Sequence, residues 1–282
     1  MKLQKVVLSA VAAFALAATA TSASAGGSIK DGPDKGSGGA FGELTGTYIV
    51  DAGNNDWTLF GPAIVPGMSQ GGLGDGFVGR AMVGYRVGIW DVALAAQLGV
   101  LGNGDPSKGG GQFATLEADY RAFDAMIGYN TRVGSAKTRL AVGVRFAEWD
   151  NTVNPGSGRA VLHNWDGVGP RAEVSTSVPL SGPWSLQLGA GVSYLWGDIK
   201  TTGTGGWICT DCKKTDANST NVDGSVGIGL QFAPAGTLVL GYRVEYWSDV
   251  NVAITDNTNI GGNRGTSDHL IHGPFVSLKF GN

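Results

Sequence analysis

Three kinds of side chain in this 282-residue sequence could do chemistry, and their spacing decides which chemistry is available. The histidines are His163, His269 and His272; His269 follows Ser267 and Asp268, and His163 lies close to Asp166. Either place could pair a base with a carboxylate, but a hydrolytic site needs such groups clustered with a nucleophile or activated water at one rim. A polar stretch supplies these neighbours by chance, so the expectation is that the chain is not an enzyme. Cys209 and Cys212 are the only cysteines, in Cys209-Thr210-Asp211-Cys212. In an exported chain this pair is expected to close a local disulfide. A redox pair calls for a strand-to-helix setting, and a metal centre for further ligands. The glycines recur at strand spacing and never form a phosphate loop before a helix, so no cofactor is expected.

The third group is ionic. Arg80, Arg86, Asp91, Asp124, Arg139, Arg145, Arg171, Glu173, Asp223, Arg243, Glu245 and Lys279 share one parity of alternating segments and are mixed in sign. A charge facing lipid at mid-membrane costs about 2–4 kcal/mol, so in a membrane-spanning sheet these side chains turn inward. Arg80, Arg86, Arg139, Arg145, Arg171, Glu173, Arg243 and Glu245 are the pore-lining candidates. Facing one another across water, they would bias ion passage. Paired directly, they would fill the lumen as a hydrogen-bonded core.

The elements that must position them read as strands. Trp90, Val92, Leu94, Ala96, Leu98 and Val100 alternate with Asp91, Ala93, Ala95, Gln97 and Gly99. Trp184–Gly197, Gly167–Leu180, Val222–Phe232 and Leu238–Trp247 repeat the pattern; Phe77–Arg86, Arg139–Trp149 and Leu270–Phe280 follow with more noise, and Leu44–Val50 is the shortest. A strand between lipid and a polar lumen must alternate in this way. Leu116–Tyr129 changes parity near Ala122 and Phe123, which predicts either a β-bulge or a strand projecting beyond the membrane. Aromatic residues flank the strand ends on the greasy parity (Trp90, Trp184, Tyr194, Trp196, Tyr246, Phe280), as two interfacial girdles would require. Trp247 is the exception and falls inward.

Composition and the N-terminus agree. Two lysines, an apolar run over Val6–Ala18 and Ala23-Ser24-Ala25 predict a cleaved secretory signal peptide over residues 1–25. No later stretch is long and apolar enough for a spanning helix. Charged residues are 15% and glycines number 48, too little charge to solvate a water-soluble surface. Loss of Lys2 and Lys5 takes the net charge from −3 to −5, against a nucleic-acid partner. Residues 26–40 read as a flexible lead-in, and residues 41–282 as one all-β domain: a closed antiparallel transmembrane β-barrel of about ten strands, within eight to twelve. Short turns at Val87–Ile89, Ser181–Pro183 and Pro234–Gly236, with a longer one over Thr131–Lys137, alternate with five long polar loops. That alternation places the turns and both termini in the periplasm and the loops outside. Within the first loop, the apolar run Trp57–Val65 is expected to fold into the lumen mouth, to lean on lipid or a neighbouring subunit, or to belong to a further strand.

Four segments carry a resemblance: Gly143-Val144-Arg145-Phe146-Ala147, Val168-Gly169-Pro170-Arg171, Gly241-Tyr242-Arg243-Val244-Glu245-Tyr246-Trp247 and His272-Gly273-Pro274-Phe275-Val276-Ser277-Leu278. They resemble strands of the Legionella-type major outer-membrane protein family, pore-forming barrels, from about Tyr120 to the end; earlier residues match in pattern only. The resemblance implies a porin-like protein passing ions or small solutes through a narrow passive pore. The alternative is a closed structural or adhesive barrel acting through its outer loops. The expected partners are outer-membrane lipid, lipopolysaccharide, the barrel-insertion machinery and further copies of the chain. Outer-membrane barrels usually end in an aromatic residue, whereas here Phe280 is followed by Gly281 and Asn282. Thiol alkylation of denatured protein with and without reductant tests the cysteine reading: Cys209 and Cys212 should be modified only after reduction.

Overall fold

The computed structural model describes residues 38–53, 75–102, 115–154, 161–203, 215–254 and 264–281. The expected signal peptide, the Trp57–Val65 run and the Cys209/Cys212 pair lie outside them.

Ten long strands form the wall: β1 (Gly39–Ile49), β3 (Gly76–Val87), β4 (Trp90–Gly102), β5 (Thr115–Val133), β6 (Ala136–Asn154), β7 (Val161–Pro179), β8 (Trp184–Gly203), β10 (Ser219–Ala233), β11 (Gly236–Ile254) and β12 (Arg264–Phe280). Two short pieces extend it, β2 (Asp51–Gly53) beside β12 and β9 (Thr215–Asp216) beside β8. Each long strand pairs antiparallel with its sequence neighbour, and β1 pairs β12 through Gly42–Thr47, so the sheet closes on itself. Closure is what lets a sheet sit in lipid, because an open edge would leave peptide groups with no hydrogen-bond partner.

The turns are tighter than the sequence suggests. The stretch Thr131–Lys137 is mostly strand, and only Gly134 and Ser135 turn the chain. Gly88 and Gly134, at φ of 61° and 62°, open two-residue turns in the left-handed region, whose twist matches the flanking strands. These turns share one end of the barrel with both ends of the described chain; the long connections share the other. β1 begins at Gly39, one residue before the expected end of the lead-in, and strands run into expected loops, β6 to Asn154 and β7 from Val161.

No bulge accounts for the parity change in β5, whose register to β4 and β6 is unbroken from end to end. Ala118, Tyr120, Ala122, Asp124 and Met126 all point inward and are buried, while Arg121, Phe123 and Ile127 point outward. Hydrophobicity changes sides where β5 leaves the membrane. Below that point the outer face meets lipid and carries Phe123 and Ile127. Above it the outer face meets water, so Arg121 forms ion pairs with Glu148 (3.2 Å) and Asp150 (3.5 Å). The sharp irregularity lies in β11 instead, between Trp247 and Asn251, where Asp249 takes φ 55°.

The outer face presents a lipid-facing band, with Leu94, Val142, Val226, Leu240 and Val276 all well exposed. Exposed Tyr85, Trp90, Tyr129 and Trp184 ring the turn end, and exposed Tyr48, Tyr194, Trp196 and Tyr246 the loop end, as interfacial girdles require. Arginine at Val142, midway between the girdles, should destabilise the barrel in bilayers by about 2–4 kcal/mol. Denaturant titration of vesicle-inserted protein measures this, and an unchanged midpoint would remove Val142 from the lipid face.

Candidate functional site

Strand pairing in the barrel is staggered. From Phe41 near the turn end, direct partners run through Gly84, Ala93, Met126, Gly143, Arg171, Ser193, Asn221 and Trp247 to His269 near the loop end. Residues distant along the sequence are thereby brought to one level of the lumen, and the inward charges meet there.

Arg145 forms the centre. Its Nε and Nη2 donate to the two carboxylate oxygens of Asp124 at 2.6 and 2.8 Å, and its Nη1 donates to Asn221 Oδ1 at 2.5 Å. Arg171 lies 2.8 Å from Asp223 and 3.2 Å from Glu173. Glu245 is the principal acceptor: Gln97 (2.9 Å), Tyr120 (3.0 Å), Asn221 (3.2 Å), Trp247 Nε1 (3.0 Å) and Arg243 (3.0 Å) all donate to it. Arg243 also donates to Gln97 Oε1 at 3.1 Å. These bonds tie β4, β5, β6, β7, β10 and β11 together across the lumen as a crossbar.

An aromatic plug lies on the loop side of the crossbar. Tyr120 stacks on Trp149 at 4.7 Å and meets Trp247 edge-on at 5.4 Å, while Trp165 lies 6.1 Å from Trp247. His269 packs on Trp149 at 4.7 Å and contacts Asn151 at 3.2 Å. On the turn side lies a second set of ion pairs. Arg139 clamps Asp91 (2.8 Å), Asn130 donates to the same carboxylate (2.6 Å), and Arg80 lies between Glu173 (3.5 Å) and Glu43 (3.9 Å).

All eight pore-lining candidates face the lumen, as do Asp91, Asp124, Asp223 and Lys279 from the wider inward set. The structure brings seven of the eight into ion pairs and places Arg86 apart, over the Phe41 ring at 5.5 Å. The inward glycines leave less empty space than their number suggests. A Cβ at Gly128 would meet Asp91 and Arg139, and one at Gly191 would meet Arg171 and Asp223. Their missing side chains seat the ion pairs.

Sequence reading missed Glu43, because β1 begins earlier than the alternation shows, and Tyr120, because the parity change hid its direction. It missed Trp149 and Trp165 as plug residues because their strands continue above the membrane. Trp247, the inward exception, was the one sequence signal of the plug. Asp268 and His269 do not assemble into one site. Asp268 points outward and accepts from Tyr246 (2.6 Å), while His269 points inward, since successive strand residues take opposite faces. His272 also lies away from the lumen, against the Tyr242 hydroxyl at 2.6 Å. The side chain of His163 is not among those described.

The wall, its apolar outer band and its polar filling define a transmembrane β-barrel of the outer-membrane type. Comparison of the sequence with known protein families and with characterised proteins finds no match. Among solved structures, the outer membrane protease OmpT from Escherichia coli has the same fold, with a TM-score of 0.53 at 11% identity over 90% of this chain and 99% of that one. The translocator domain of the autotransporter NalP from Neisseria meningitidis aligns over 96% of this chain and 97% of its own at 12% identity, with a TM-score of 0.42.

Replacing Arg145 with Met should cost about 3–5 kcal/mol, because it strands the Asp124 charge in a water-excluded site. Adding Asp124→Leu to Arg145→Met should recover most of that loss. Urea titration of the two variants measures both, and equal losses would show that the pair does not act as a unit.

Proposed function

We propose that this protein is an outer-membrane barrel closed to free diffusion, which works at the cell surface through its long loops. One observation carries the reading. Around the level of the crossbar each of the ten wall strands sends in a side chain exposed by 3% or less: Ile49, Val78, Gln97, Ala122, Arg145, Arg171, Ser193, Asn221, Glu245 and Ile271. A channel wide enough for hydrated ions would wet at least one sector of such a ring. The ion pairs are also direct contacts, whereas field-shaping charges in a conducting pore face each other across water.

Orientation follows from the connections. Short turns and both chain ends belong to the periplasmic side and the long loops to the outside, the arrangement that outer-membrane barrels share. Lipopolysaccharide then meets the upper girdle, and the insertion machinery is the partner that folds the chain into place. Kinship with the Legionella-type family belongs to the same proposal. Its support is that each matched segment supplies an inward glycine at a crowded point of the wall. A Cβ at Gly143, Gly169, Gly241 or Gly273 would overlap a carbonyl oxygen of the neighbouring strand. Three of these glycines precede the inward Arg145, Arg171 and Arg243 by one intervening residue.

Planar-bilayer recordings separate this proposal from a narrow passive pore. Repeated insertion of folded, heat-modifiable protein should give no stable unit conductance. A reproducible unit step abolished by unfolding would restore the pore, with Arg145, Arg171, Arg243 and Glu245 as its selectivity residues.

A further inference from the structure

Toward the turn end part of the lumen opens to solvent, although the Asp91–Arg139 pair there stays 0% and 9% exposed. The Arg145 side chain is 0% exposed, Arg243 12%, Glu43 18% and Lys279 32%. The barrel is therefore a cup, sealed by the crossbar and open at the turns. Its rim does not follow the pairing rule of its floor. Arg132 and Lys137 are direct cross-strand partners on β5 and β6, both on the inward parity and both exposed. Like charges directly opposite each other destabilise a sheet. Arg86, from β3, joins them: its charge and that of Arg132 both act on the Lys137 ammonium. Among the described residues none of these three cations has a carboxylate within 4.0 Å, although Arg86 feels the charge of its direct cross-strand partner Asp91, and six carboxylates pair with the other inward cations. The Nε of Arg86 is buried and has no hydrogen-bond partner.

The neighbouring sector of the rim has a different character. Ser177 lies directly across from Lys137, and Gln187 donates to Ser177 (2.7 Å) while accepting from Lys279 (3.2 Å). A sector of cations therefore borders a sector of hydroxyl and amide groups at the turn end of the lumen.

We propose that this mouth binds a small anionic solute: a carboxylate or phosphate, held by Arg86, Arg132 and Lys137, on a hydroxylated body that hydrogen-bonds to Ser177 and Gln187. Guanidinium groups suit both anions because their fixed fork matches two oxygens at once. The inward parity sets the site apart from a lipid-headgroup contact, which would use outward side chains. The inference rests on the closed-barrel reading only in making the cup an end point; in an open channel the same groups would be a transit site. Conductance of the same preparation tells those two cases apart, and binding does not depend on it.

The test uses full-length barrel in a neutral maltoside detergent, titrated with glucose 6-phosphate, gluconate and glucose by calorimetry and thermal unfolding. One or both anions should bind and raise the unfolding temperature while glucose does neither, and the tighter anion identifies the preferred group. Lys137→Gln and Arg132→Gln should each weaken binding about tenfold or more and raise the unfolding temperature of the ligand-free barrel by relieving repulsion. Arg121→Gln, on the outer face at the other end, should leave binding unchanged. Absence of binding by both anions, equal binding of glucose, or undiminished binding to a barrel carrying both rim substitutions would overturn the proposal. So would ligand-free destabilisation by Lys137→Gln and Arg132→Gln, which would mark the cations as structural.

Discussion

Everything in this molecule depends on satisfying a peptide backbone where no water is available. In hydrocarbon an unpaired N–H or C=O costs several kcal/mol, and a sheet avoids that cost along its whole length only by pairing its last strand with its first. The β1–β12 contact is therefore the constraint from which the rest follows. A closed sheet has an inside, the inside is too narrow to be lipid, and every second residue must then suit a confined polar space. Alternation, girdles and inward charges are consequences of that single closure.

Closure also decides how the lumen is filled. Two buried charges attract strongly but lose their hydration, and the exchange is tolerable only when each remaining donor and acceptor finds a partner. The crossbar meets most of this condition by sharing: Glu245 accepts hydrogen bonds from five groups and Arg145 donates to two side chains, while Arg171 Nε makes no hydrogen bond and has only the Asp124 charge, 3.7 Å away. Inward glycines leave the volume in which these long side chains lie across the barrel. The aromatic plug above contributes hydrophobic burial and two hydrogen bonds to Glu245, from Tyr120 and Trp247, that link it to the crossbar. Toward the turns the Arg139–Asp91 clamp persists, but among the described residues Arg86, Arg132 and Lys137 have no carboxylate within ion-pair distance.

Much of the wall was legible in the sequence. The strand count, the inward set of charges and the girdles all follow from a period of two, which lipid on one side and a polar lumen on the other enforce at every position. The misreadings share a cause. At Tyr120, Trp149 and Trp165 the strands have risen past the lipid, so the greasy side chains are the inward ones and the period appears to slip. At Asp268 and His269 adjacency in sequence suggested partnership, but adjacency in a strand means opposite faces.

By itself the sequence determined that this chain forms a membrane-spanning barrel and which parity of its lipid-level strands faces the interior, because the solvent on each face acts on residues one at a time. Which interior side chains meet was decided only by the tertiary structure. The stagger of a closed sheet joins Arg145 to Asn221 and Gln97 to Glu245 across long sequence separations. Whether inward charges line a channel or bar it depends on those meetings, and no local pattern encodes them.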